Sequence, residues 1–76
     1  MFRKKKPSLD VGRLMKVMDN PSTEEISAVL YVEESIVKKW SKKPNRVLDP
    51  YEADVYANRI GLHPFQIWGW DWVDAA

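Results

Sequence analysis

Residues 25–40 read E-I-S-A-V-L-Y-V-E-E-S-I-V-K-K-W. Ile26, Val29 and Leu30 fall three and four positions apart, which is one face of a helix. A second segment carries its apolar residues at Ile36, Val37 and Trp40, with Lys38 and Lys39 between them. The corner falls at Tyr31-Val32. Two short amphipathic helices meeting at a tight corner make the pattern of a helix-turn-helix, in which one helix braces and the next presents its outer face.

The flanking sequence supplies the stops and starts. Ser22 and Glu25 fit a capping box, each side chain accepting from the other's backbone N–H, so the bracing helix starts at Ser22. The second helix is expected over 33–42, and Lys43-Pro44-Asn45 ends it. Upstream, Val11, Leu14, Met15 and Met18 recur at helical spacing. A first helix is therefore expected over 9–18, with Ser8 as N-cap and Asp10 in the first turn. Gly12 weakens that helix, and Asn20-Pro21 breaks it. Downstream, Asp49-Pro50-Tyr51-Glu52 is an N-cap, a proline at N1 and a glutamate at N3. That helix runs to Ile60, where Gly61 is a natural left-handed terminator. His63-Pro64 opens a short helix through Trp68, which Gly69 closes. The tail Trp70-Asp71-Trp72-Val73 is expected to fold back on the rest. No strand pattern is present, so the reading is an all-α bundle of four or five helices.

A shift of the chain by 30 residues sets Leu30 on Ile60, Tyr31 on Gly61, Val32 on Leu62, Val37 on Ile67 and Trp40 on Trp70. Ser27 falls on Ala57, a small residue at a point of close approach. Either helix–turn–helix packing imposes the same spacing twice, or the two halves arose by duplication.

Seventy-six residues make one domain with a small core. Residues 1–7 are expected to form a flexible basic arm and residues 8–76 the helical domain. The chain is 45% hydrophobic and has four Trp and no Cys. It therefore has no disulfide, thiolate nucleophile or zinc–cysteine site. No apolar run approaches the ~18 residues of a membrane span. No signal-peptide core follows the basic N-terminus, so a cytoplasmic protein is expected. Net charge is +1, but its distribution says more than its sum. Arg3, Lys4, Lys5 and Lys6 form one basic run; Lys38, Lys39, Lys42, Lys43 and Arg46 form another.

The run 25–40 resembles the general helix-turn-helix pattern E-I-A-x-x-L-G-V-S-x-x-T-V-x-R-W. The later run D-V-Y-A-N-R-I-G-L-H-P-F-Q-I-W-G is similar to the small helical DNA-binding proteins of bacteriophages, the Ner-like and actinobacterial-phage regulators. Together they cover roughly half the chain. The resemblance implies a compact repressor-like domain acting on phage or host DNA in a bacterial or phage-infected cell. Two positions depart from the pattern. Tyr31 stands where Gly is usual, and a bulky residue at positive φ is costly, which favours a longer or differently shaped turn. Glu33 and Glu34 open the second helix, where Ser, Thr, Gln or Arg is commoner.

On this reading helix 33–42 enters the major groove. Ser35, Lys38, Lys39 and Lys42 face outward, and Lys43 and Arg46 extend the patch to the phosphates. Glu34 is a candidate for accepting from cytosine N4, or it only favours the helix N-terminus. The arm Arg3–Lys6 would reach the minor groove. His63 reads as an N-cap or packing residue. A lone His without Cys makes a metal site unexpected. Trp68, Trp70 and Trp72 are candidates for a base-stacking platform, for core, or for a homodimer surface. Their alternation does not suit one helical face, so at least one should be exposed. No catalytic constellation or cofactor motif is present, a bundle this small has little room for a pocket, and no enzyme is expected. The partner expected is double-stranded DNA. A helix-turn-helix-shaped module that binds a host protein is the alternative, favoured by Glu33, Glu34 and the low net charge.

Overall fold

The computed structural model describes residues 7–75, and among these it contains six helices and no strand. They are α1 (Val11–Val17), α2 (Thr23–Leu30), α3 (Glu34–Lys42), α4 (Pro50–Arg59), α5 (Pro64–Trp68) and α6 (Trp70–Ala75). The molecule is compact, with a radius of gyration of 12.4 Å.

Local chemistry explains most of the boundaries. Ser22 caps α2 through a reciprocal pair with Glu25, and Asp49 does the same for α4 with Glu52. Pro50 sits at the start of α4, where a missing N–H costs nothing. His63 caps α5: its Nδ1 accepts from the Phe65 N–H, and Gln66 accepts from the His63 N–H. Gly61 and Gly69 both take positive φ, at 77° and 59°.

Several expectations are corrected. Helix α1 begins at Val11, not Leu9, and its N-cap is Asp10, not Ser8. The reason lies far along the chain. Residues 9–10 are extended and paired with 47–48: Leu48 N–H donates to Leu9 O, and Asp10 and Val47 form an isolated bridge. The first N–H groups of α1 are satisfied by this same connecting loop, Val11 donating to Arg46 O and Gly12 to Pro44 O. Gly12 therefore marks a close approach. A Cβ there would lie 2.9 Å from Pro44 O. The tail 70–75 is itself a helix, which makes six where four or five were expected. Val29 and Ile36, expected inward, are about two-fifths exposed (42% and 40%).

The core gathers Leu9, Val11, Leu14 and Met15 with Ile26, Leu30, Val32, Val37 and Trp40, and with Leu48, Ala53, Ala57, Ile67 and Trp68. The Trp40 ring meets Tyr56 edge-on at 5.6 Å. Burial raises the Tyr56 pKa above its ordinary value; Glu52 adds to this, while Arg59 and Arg46 oppose it. Ala53 and Ala57 are fully buried on α4, where it packs against α2 and α5. One polar hub ties the ends together. Arg13 donates to Asp10, to Asp71 of α6 and to the carbonyls of Ser8 and Trp68, while Trp68 Nε1 donates to Asp10 O at 2.9 Å. Burial disfavours the Arg13 charge, yet the hydrogen bonds to Asp71 and Asp10 outweigh it and hold its pKa above the ordinary value.

The corner between α2 and α3 is the three residues Tyr31–Glu33. Tyr31 adopts the left-handed conformation there (φ 58°, ψ 44°). An L-residue there costs about 1–2 kcal/mol. The second corner, residues 60–63, is one residue longer but repeats a hydrogen bond of the first. Val32 N–H donates to Ser27 O at 3.3 Å, and its counterpart Leu62 N–H donates to Ala57 O at 2.9 Å. The correspondence continues to Val37 and Ile67, both buried. It fails at the last pair: Trp40 is buried, whereas Trp70 is 72% exposed because Gly69 ends α5.

Candidate functional site

Helix α3 has Val37 and Trp40 on its buried side. At 3.6 residues per turn, Ser35 and Lys42 lie opposite, with Lys38 and Lys39 on either flank. All four are exposed. The turn places them outward because Leu30, Val32 and Val37 are buried on either side of it. The helix has an acidic start and a basic end. Glu33 is its N-cap without a side-chain capping bond, Glu34 lies in the first turn, and Lys39 and Lys42 lie in the last. That polarity suits the helix dipole.

The basic residues continue past the end of α3. An open groove of about 270 Å³ is lined by Lys39, Lys42, Lys43 and Arg46. A second, of about 210 Å³, shares Lys39 and Arg46 and is lined also by Ile36 and Trp40. The two make one cationic strip with an apolar floor. None of Lys38, Lys39, Lys42, Lys43 or Arg46 forms an ion pair with a described residue; the ion pairs found among these residues involve Arg13 with Asp10 and Asp71. Arg46 and Lys43 stand on a loop whose backbone is pinned to the N-terminus of α1 by the bonds from Val11 and Gly12. The strip is thus built on anchored backbone.

The sequence-predicted residues divide into three groups. Lys39, Lys42, Lys43 and Arg46 come together along one groove, while Ser35 and Lys38 are exposed on α3 and Glu34 lies in its first turn. Arg3, Lys4, Lys5 and Lys6 lie outside the described residues. The three tryptophans do not act together. Trp68 is 1% exposed and hydrogen-bonded in the core, so it has no free face for stacking or self-association. Trp72 is half-buried against His63, with ring centroids 6.3 Å apart. Trp70 projects from α6 and meets Phe65 edge-on at 5.5 Å; with Val73 these make an exposed apolar patch. Among the described residues no group of three His, Cys, Asp or Glu is placed to hold a metal ion, and no helix is long and apolar enough to cross a membrane.

Two contributions were not read from the sequence. Ile36 and Trp40 floor the second groove, although their spacing marked them only as core. Arg59 of α4 reaches the first corner: it donates to Leu30 O and stacks on the Tyr31 ring, 4.8 Å from its centroid. No local spacing could have announced a contact across 29 residues.

Compared with protein-family models, with curated proteins and with solved structures, the chain matches none.

Proposed function

We propose that the chain is a small sequence-specific DNA-binding protein, a transcriptional regulator of the phage type, in which α2 and α3 act as a helix-turn-helix. The observation that carries this reading is the outward face of α3. Ser35, Lys38, Lys39 and Lys42 are all exposed there, opposite Val37 and Trp40, and the lysines are unpaired with any described acid. A nine-residue helix is about 13 Å long, enough to span a major groove roughly 12 Å wide. Lys38, Lys39 and Lys42 contact phosphates or guanine edges, and Lys43 and Arg46 hold the backbone alongside. Glu34 accepts from cytosine N4 at the leading end of the helix. The basic residues Arg3–Lys6 add minor-groove contacts. A second copy, meeting the first through Trp70 and its neighbours, supplies the second half-site.

Glu33, Glu34 and a net charge of only +1 favour a second reading, a helix-turn-helix-shaped module that binds a host protein. A gel shift on promoter fragments at low salt separates the two. A salt-sensitive shift supports the first reading. A folded protein that shifts no fragment sinks it and leaves the protein partner.

A further inference from the structure

We propose that Tyr31 and Arg59 form a phosphate-contacting pair that seats the leading end of α3 on the DNA backbone, an inference that rests on the DNA-binding reading above. The molecule contains its own control for this position. Gly61 occupies the equivalent place in the second corner, also at positive φ (77°) and with nothing within 4 Å of where a Cβ would sit. Glycine adopts that conformation without strain. Tyr31 adopts it at φ 58° with a side chain that is 77% exposed, so the ring buries too little to account for its presence. Strain retained at an exposed residue points to a use for the side chain.

The surroundings indicate what that use is. The Arg59 guanidinium lies over the Tyr31 ring at 4.8 Å and donates one N–H to Leu30 O, which fixes it at the corner. Its other donors meet no acid among the described residues. A guanidinium fork and a phenol hydroxyl, side by side and exposed, are both donors to phosphodiester oxygens. They also stand where such donors are needed. The N-cap and first residue of α3 are Glu33 and Glu34, which repel phosphate, and the lysines lie toward the other end. A cation supplied by α4 lets both ends of α3 meet the backbone.

The test uses the full chain and a short duplex of mixed sequence at low salt, read by fluorescence anisotropy, with thermal melting alongside. Tyr31→Gly is expected to melt at or above the wild-type temperature and to bind about tenfold more weakly. Arg59→Ala is expected to lower the slope of log K against log salt by about one. Tyr31→Gly binding as tightly as wild type overturns the proposal while leaving the DNA reading intact. A clear fall in melting temperature for Tyr31→Gly also overturns it, because the ring would then be holding the fold. Absence of wild-type binding removes the DNA reading, and the proposal with it.

Discussion

At the scale of single residues, Gly12 and Tyr56 each give a sharp expectation. Gly12 is in the first turn of α1 and would ordinarily be better as Ala, by up to about 1 kcal/mol in a helix interior. Here the added methyl would meet the Pro44 carbonyl at 2.9 Å, and a backbone atom cannot swing aside. Gly12→Ala is therefore expected to lower stability by about 1–2 kcal/mol, measured by chemical denaturation; a gain would mean the loop 43–48 yields freely. Tyr56 gives a pH signature. Its pKa in the folded state is raised above 10.0, chiefly by burial. The folded state then holds the phenol proton more tightly than the unfolded chain does. The associated stability is complete below pH 10.0 and is lost as pH rises through the folded-state pKa. Tyr56→Phe should remove this part of the alkaline loss, seen as a shallower fall of melting temperature above that pH.

At the scale of elements, the two corners show which features a sequence can carry. Ser22 with Glu25, Asp49-Pro50 with Glu52, and His63-Pro64 mark helix starts because capping is local chemistry, complete within four residues. Three other features were hidden for physical reasons. The start of α1 moved because Leu9 and Asp10 pair with 47–48, and backbone pairing over that distance leaves no side-chain pattern except Gly12. Ile36 sits beside Val37 on a helix whose buried arc is narrow, so only one of two adjacent apolar residues could face fully inward. The six-residue α6 has no helical stripe, and its docking depends on Arg13, Trp68 and Asp71, which come from three different elements. The basic surface, by contrast, was legible, because α3 is regular and its lysines follow directly from the places of Val37 and Trp40. These roles predict different costs. Val37→Ala is expected to destabilise by about 2–4 kcal/mol and Ile36→Ala by about 1 kcal/mol or less, compared by denaturant midpoints. Equal losses would show that α3 is rotated relative to the arrangement described.

At the scale of the whole molecule, the cationic strip and the Trp70 patch lie on different elements. The cationic strip of Lys39, Lys42, Lys43 and Arg46 belongs to α3 and the following loop, whereas the exposed Phe65, Trp70 and Val73 belong to α5 and α6. On the proposed reading one surface takes DNA and the other a second copy. Sedimentation should show a wild-type dimer, and Trp70→Ser should shift it to monomer without unfolding it; a monomeric wild type at high concentration would leave the apolar patch without this role. The cationic surface carries the DNA-binding reading. Its most direct test is the salt dependence of duplex binding for the wild type and for the double substitution Lys38→Ala, Lys39→Ala. On the DNA-binding reading, wild-type affinity falls steeply as salt rises, and the double substitution binds far more weakly, with a log–log slope smaller by about two, because each lost phosphate contact removes about one unit. An unchanged affinity and slope in a folded double variant would contradict it.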